Sequence, residues 1–458
     1  MSLDCFFNPK SVAVIGASRR PDSVGFGILK NLLTGGVFRS KYAKPFPGAV
    51  FAVNPNAKSI LGKKCYASVQ DIPVPVDLAV VCVPAPVVLD VVRQCRTKGV
   101  KACVLVSAGF SETGKSELQN KVLQAARPMR ILGPNTLGLI RPSVHLNASF
   151  GLTTPAPGKI AFLSQSGALA DSVIDWAIEE EYAFSAIVSL GNQSDVTLSE
   201  LLRHFVHDPQ TSVICLYVEG VIDGKQFMAA LREAKRKGKP VLVLKSGKSE
   251  SGQKAAQTHT GSLAGSCRVF EGAMLQTGAL PVDNLTDLFQ IAKALDVCPR
   301  PEKNAFAVVS NAGGVAVLLS DYCEKYGVNL IPLKNSTLEK LDKTGVMHPA
   351  YSRRNPLDLV GDATPKRYGA ALQILLKEPY IGGLLVAQTL QTMTDASANA
   401  KLVVEAKRFK KPILTVFLGG KYSRKSIRYL NAHQIADFSD PEKAVKAAKA
   451  LLDLRKSD

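Results

Sequence analysis

The sequence predicts an α/β protein of three units, each a doubly wound parallel sheet with helices on its faces. Three observations carry this. Short runs rich in Val, Ile and Leu, such as residues 11–15, 78–83 and 240–245, alternate with longer stretches of helical periodicity. These runs are continuously apolar rather than alternating, as strands buried on both faces are. Most of them end in clusters of Gly, Ser, Asn or Pro, and ligands of such sheets lie beyond the carboxyl ends of the strands.

Length and composition set bounds. The 458 residues suit about three domains. Hydrophobic residues make up 46% and charged residues 21%, which describes a folded chain rather than a disordered one. No apolar run reaches the roughly 18 residues that cross a bilayer. The first residues lack a basic segment followed by an apolar one, so no signal peptide is expected. The nine cysteines show no CxxC pair, which predicts free thiols and a cytoplasmic location.

The net charge of +19 is uneven: +12 in residues 1–145, −3 in 146–299 and +10 in 300–458. Such a chain attracts polyanions. There is no nucleic-acid motif, and aromatic content is only 7%, so base-stacking platforms are not expected. A small polyphosphorylated ligand fits the basic first unit better.

In that unit, residues 11–15 form a strand ending at Gly16-Ala17-Ser18. Gly25 and Gly27 then lead into a helix. Free N–H groups at such a helix start hold phosphate. The spacing is not GxGxxG. The second strand, 49–53, is followed by Asn54-Pro55-Asn56, where a dinucleotide site would carry an acidic residue for the ribose. A dehydrogenase is disfavoured on both counts. The third, fourth and fifth strands end at Val83-Pro84-Ala85-Pro86, Ser107-Ala108-Gly109 and Gly133-Pro134-Asn135-Thr136-Leu137-Gly138.

The second unit opens with a strand ending in Ser164-Gln165-Ser166-Gly167, then a helix. Ser and Gly at a helix start cap its N–H groups and leave them facing an anion. The next strands end in Ser189-Leu190-Gly191-Asn192 and in Glu219-Gly220. A further strand, 240–245, leads into a loop of small and charged residues and then Thr258-His259-Thr260-Gly261. The loop has almost no large apolar anchor. Ser164, Gly191, Glu219 and His259 all follow strand ends, which would gather an anion site, a carboxylate and an imidazole nucleophile.

Taken together and in this order, these motifs resemble the α subunit of ADP-forming acyl-CoA synthetases, within the succinyl-CoA synthetase superfamily. The resemblance covers nearly the whole chain. It implies a Rossmann-like CoA-binding domain at 1–145, a succinyl-CoA-ligase-like domain with a phosphohistidine loop at 146–299, and a third ligase-like domain at 300–458, the last two flavodoxin-like. It implies that His259 is phosphorylated and that Glu219 holds it. Ser164 and Ser166 would hold the phosphoryl group, with Gly167, Gly191 and Asn192 completing the phosphate site. CoA would be bound by Gly16, Ser18, Val53, Pro55, Val83, Pro84 and Asn135. Arg19 and Lys58 are electrostatic candidates for its phosphates.

The third unit follows the polar linker 299–304. Its first strand, 305–309, ends in Ser310-Asn311-Ala312-Gly313-Gly314, and strands at 383–387 and 412–417 follow. The last helix has an Ala-rich amphipathic pattern. His348 and His433 are expected to be structural or surface residues. No ATP-grasp module and no Gly-x4-Gly-Lys-Ser/Thr loop is found. The expectation is an α subunit needing an ATP-grasp β subunit that carries ADP or ATP with Mg²⁺, in an α2β2 assembly. Nucleic acid and membrane are not expected partners. The reaction implied is acyl-CoA, ADP and phosphate to acid, CoA and ATP, through an acyl phosphate and phosphohistidine. The alternative is a CoA- or nucleotide-sensing protein that keeps the fold without turnover.

Overall fold

The computed structural model describes residues 3–252 and 267–454. The chain divides into two compact units, Met1–Asp283 and Asn284–Asp458. Unit 1 contains two seven-stranded sheets and unit 2 one five-stranded sheet.

The first sheet consists of β1 Ser11–Ile15, β2 Ala49–Val53, β3 Ser59–Ile60, β4 Lys63–Tyr66, β5 Leu78–Val81, β6 Ala102–Leu105 and β7 Arg130–Leu132, in the order β3-β4-β2-β1-β5-β6-β7. All its pairs are parallel except β3–β4. Every residue of β1 is buried, as a central strand covered on both faces must be. After β2 the chain crosses β1 to lay down β5, so the order reverses between β1 and β5 and the loops after them diverge. The helix Val24–Thr34 begins where Ser23 accepts the N–H of Phe26 at 3.3 Å and ends at Gly35 with φ +85°. A Cβ on Gly25 would stand 2.0 Å from the Gly16 carbonyl oxygen, so only glycine lets this helix start rest on the turn after β1.

The second sheet holds β8 Gly138–Arg141, β9 Leu146–Ser149, β10 Ala156–Ser164, β11 Ala183–Ser189, β12 Val213–Val218, β13 Val241–Lys245 and β14 Leu280–Val282, in the order β14-β13-β12-β10-β11-β8-β9. It is parallel from β14 to β11. β8 then runs antiparallel to both β11 and β9. The range 1–145 assigned to the first domain from sequence therefore runs into this sheet at Gly138. The order reverses a second time between β10 and β12. The helix after β10, Gly167–Glu180, starts from Ser166, whose side chain accepts from Leu169.

Buried polar pairs fix how the parts of unit 1 meet. Arg130 on β7 reaches Asp195 at 3.0 Å and Glu200 at 3.0 Å, both in the second half of the unit. The buried Asn31 amide donates to the carbonyls of Ser149 and Gly151 at 2.9 and 2.8 Å. Arg141 on β8 forms a two-pronged pair with Asp208, at 2.8 and 2.9 Å, with side chains only 4% and 7% exposed.

Unit 2 begins before the linker. Its first helix, Leu285–Val297, carries Asp287, which is paired with Lys446 of the helix Pro441–Asp453 at 2.7 Å. The division expected at 299/300 thus falls inside this unit. Its sheet has β15 Phe306–Ser310, β16 Leu357–Asp358, β17 Gly383–Gln388, β18 Ile413–Phe417 and β19 Ala436–Asp437, all parallel, in the order β16-β15-β17-β18-β19. The His348 ring accepts the Ala350 N–H at 3.0 Å, and the His433 ring bonds the Tyr429 carbonyl at 2.8 Å and lies against the Tyr429 ring.

Burial pushes the Asp208 carboxyl up, but hydrogen bonds from Arg141 and Thr211 outweigh it and hold the group below the usual carboxylate range. Its contribution to stability is present above the ordinary carboxylate pKa and is lost as pH falls through the lower folded value. Arg141→Leu strands this carboxylate in the core. It should destabilise the protein by about 3–5 kcal/mol, read as a lower urea midpoint at neutral pH. An unchanged midpoint would show that the pair does not anchor β8.

Candidate functional site

A cavity of about 940 Å³ opens in unit 1 between the carboxyl ends of strands from both sheets. Loops after β5 and β6 form one wall, contributing Val83, Pro84, Ser107 and Glu112. Loops after β10, β11 and β12 form the other, contributing Gln165, Ser166, Gly167, Gly191 and Glu219. Both order reversals open onto it, as expected of ligand sites in parallel sheets. The volume lies within the range of small-molecule sites.

The segment 133–137 joins the two walls. Asn135 adopts φ +58°, its N–H donates to the Ser107 carbonyl at 2.9 Å, and Ser107 in turn donates its hydroxyl to the Val83 carbonyl at 2.5 Å. Across the cavity mouth, Gly191 sits at φ +61°. A Cβ there would be 2.1 Å from the Pro134 carbonyl oxygen. The Asn192 N–H donates to that same carbonyl at 2.9 Å. Gly191 is therefore required by a backbone-to-backbone approach.

Asn192, expected from sequence to bind phosphate, lines the cavity with its side chain engaged by neighbours. Its amide nitrogen lies 2.5 Å from Glu112, 3.1 Å from Ser111 and 3.1 Å from Gln119, and its oxygen accepts from Asn135 at 3.4 Å. It acts as a strut between the two walls. Ser164, expected in the same role, is engaged by its own turn. It is fully buried, donates its single hydroxyl hydrogen to the Ser166 carbonyl at 2.7 Å, and accepts the Ser166 N–H at 3.1 Å. It shapes the turn and does not line the cavity. Ser166 and Gly167 do line it, at the start of a 14-residue helix.

Glu219 follows β12 and lines the cavity. Its backbone is gripped on two sides. Gln165 accepts the N–H of Glu219 at 2.5 Å and of Gly220 at 2.9 Å, and donates to the Gly220 carbonyl at 2.7 Å. Lys245 at the end of β13 donates to the Glu219 carbonyl at 2.9 Å and also to that of Ser246. Burial pulls the Lys245 ammonium below its usual range, opposed by the nearby Glu219. His259 lies outside the described residues.

The electrostatics of the lining are acidic. Among the described residues no Lys or Arg lines the cavity, whereas Glu112, Asp171 and Glu219 do. Burial raises Glu112, but hydrogen bonds from Asn192 and from the Gly109 and Phe110 N–H groups prevail and lower it. Burial raises Asp171, which accepts the Leu152 N–H at 3.1 Å.

The remaining sequence candidates lie apart from the cavity lining. Val53 is buried in β2, while Pro55, Arg19 and Lys58 are exposed. Gly16 has φ +95°, and a Cβ on it would be 2.8 Å from the Cys82 carbonyl oxygen. The turn after β1 is thereby pressed against the loop after β5. Ser18 accepts the Arg20 N–H at 3.1 Å. Asn54 donates to the Ala17 carbonyl at 2.8 Å and accepts from Asn56 at 2.8 Å, so the position of an acidic ribose ligand is occupied here by a turn brace.

Gln165, Glu112 and Lys245 were not singled out from sequence. A signal for Gln165 existed. Ser164-Gln165-Ser166-Gly167 and Ser310-Asn311-Ala312-Gly313 occupy equivalent strand ends, and Asn311 brackets the Thr389 N–H and carbonyl at 2.9 and 3.0 Å after the neighbouring β17. Glu112 and Lys245 had none.

Comparison with known proteins now places the chain. Residues 10–142 match the CoA binding domain, 157–295 the succinyl-CoA ligase like flavodoxin domain, and 306–452 the Ligase-CoA domain. The chain is 39% identical to the acetate–CoA ligase (ADP-forming) I subunit alpha of Pyrococcus furiosus, over 98% of this chain and 97% of that one. It is 39% identical to the acetate–CoA ligase (ADP-forming) of Methanocaldococcus jannaschii, of which it spans 62%. A solved dinucleotide-forming acetyl-coenzyme A synthetase 1 from Candidatus Korarchaeum cryptofilum, in complex with phosphate and ADP, superimposes with a TM-score of 0.92 at 36% identity, covering 99% of this chain and 97% of that one. The chain belongs to the family of ADP-forming acetate–CoA ligases, with the architecture of their α subunits.

Proposed function

We propose that this chain is the α subunit that carries the acyl and phosphoryl steps of an ADP-forming acyl-CoA synthetase. The observation that carries the reading is the convergence on one cavity of the CoA-domain loops (Val83, Pro84, Asn135), the helix start at Ser166 and Gly167, and Glu219. CoA would be held at its phosphorylated end by the turn at Gly16 and Ser18, by Val53 and Pro55, and by the exposed cations Arg19 and Lys58. The loops after β5 and β6 then direct the thioester into the cavity.

Phosphate would sit at the N-terminus of the helix Gly167–Glu180, where backbone N–H groups and the helix dipole favour an anion. A phosphate oxygen attacks the thioester carbonyl, the C–S bond breaks, and CoA leaves as its thiol on taking a proton. The imidazole of His259 then attacks phosphorus of the acyl phosphate, and the carboxylate departs as the free acid. Glu219 would accept the opposite ring N–H, holding the tautomer and stabilising the positive charge that develops. Confinement of the two reactants supplies a further part of the rate.

The phosphohistidine passes its phosphoryl group to ADP on an ATP-grasp β subunit, in an α2β2 assembly. Mg²⁺ there would neutralise the nucleotide phosphates. No helix among the described residues is long and apolar enough to cross a membrane. We place the reaction in the cytoplasm, where cysteine thiols stay reduced.

Two substitutions test the reading. His259→Ala should abolish ATP formation from acetyl-CoA, ADP and phosphate in the presence of the partner subunit, while CoA binding by calorimetry persists. Phosphate label retained on that variant would remove His259 from its role. Glu219→Gln should slow labelling of the chain from acetyl-CoA and ³²P-phosphate by roughly 10²-fold. A near-normal rate would reject Glu219 as the histidine's partner.

A further inference from the structure

We propose that Gln165 is a positioning residue for Glu219, and that Lys245 completes the clamp from the opposite side. The inference rests on the reading of Glu219 given above. Three neighbouring parallel strands, β10, β12 and β13, end here. Gln165 follows β10 and takes the loop after β12 by both its polar ends: the oxygen accepts the N–H groups of Glu219 and Gly220, and the nitrogen donates to the Gly220 carbonyl. The Gln165 N–H also donates to the Tyr217 carbonyl at 3.2 Å. Lys245 follows β13 and takes the Glu219 carbonyl.

The hydrogen bonds that both residues make to this loop engage its main chain, and Lys245 also lies within electrostatic reach of the Glu219 carboxylate. The main-chain bonds give the clamp its function. A loop just past a strand end has left the ladder that would satisfy its N–H and C=O groups, and its φ and ψ are otherwise set by solvent. With N–H and C=O both tied down, the direction of the Cα–Cβ bond is fixed, which limits the positions that the carboxylate's rotamers can reach. A primary amide is suited to this, since it offers one acceptor and one donor on a single planar group. A displacement of about 1 Å in such a group costs on the order of 10²-fold in rate.

The same device recurs in unit 2, where Asn311 brackets Thr389. There the clamped loop presents no carboxylate at the matching position. The clamp is thus a feature of this strand–turn–helix arrangement, and it bears on the reaction through what it holds in unit 1.

The test is a double-mutant cycle on the full-length chain, read as the rate of labelling from acetyl-CoA and ³²P-phosphate. Gln165→Leu should slow labelling by roughly 10–100-fold at saturation, with the KM for acetyl-CoA and CoA binding unchanged within about threefold. Gln165→Glu keeps the two accepted bonds but sets a carboxylate oxygen against the Gly220 carbonyl, so it should recover only part of the rate; an unchanged urea midpoint guards against a leucine variant that does not fold. Gln165→Leu added to Glu219→Gln should give little further loss, because the two changes remove one function. Losses that multiply would overturn the proposal, as would a rise in KM that accounts for the whole effect. A Glu219→Gln variant at the normal rate would instead sink the reading of Glu219 itself, and the clamp's role with it.

Discussion

The close approach of Gly191 to Pro134 sets the geometry of everything around it. Two loops from different sheets meet there with no side chain between them, and the gap a Cβ would need is filled by a carbonyl oxygen at 2.1 Å. Backbone bonds from Asn192 to Pro134 and from Ser194 to Gly133 hold the contact. Asn192 then reaches on to Ser111, Glu112 and Gln119. A thioester delivered by one sheet and a phosphate held by the other can react only if the two are a bond length or two apart. That spacing is set here, by hydrogen bonds far stiffer than a flexible linker.

Charge inside unit 1 is arranged in the same spirit. The strong ion pairs, Arg130 with Asp195 and Glu200 and Arg141 with Asp208, fasten the sheets and lie away from the cavity lining. The lining itself is acidic among the described residues. The helix Gly167–Glu180 starts at this lining, and helix N–H groups have an orientation fixed by the fold that needs no rearrangement as charge moves. The protein thus separates the charges that build its frame from the dipoles that face the chemistry.

The two order reversals of unit 1 do different work. At the first, between β1 and β5, glycines at 16 and 25 let turn, helix and neighbouring loop pack within contact distance. At the second, between β10 and β12, an amide and an ammonium grip the backbone of Glu219. Backbone approach shapes the one and side-chain clamping the other, because only the second must aim a functional group.

The sequence by itself determined the α/β class, the central strands and the family. Those are written in local pattern: apolar runs of five or six residues, Ser166 before a helix, glycine where the chain must turn. It also placed Ser166, Gly167, Gly191 and Glu219 at strand ends, which is where the cavity lies. It gave no sign that Ser164 and Asn192 are tied into the frame by hydrogen bonds, and it passed over Gln165. Residue type and position were legible, but the direction of a side chain was not. Ser164 turns inward to close its own loop, and Asn192 spans to a loop some 80 residues away. β8 and the edge strand β9 were likewise hidden, because they join their sheet through the long-range pairing of β8 with β11 and a buried ion pair. Tertiary structure alone decided which polar groups hold the frame and which face the cavity, since that depends on neighbours brought together only when the sheets pack.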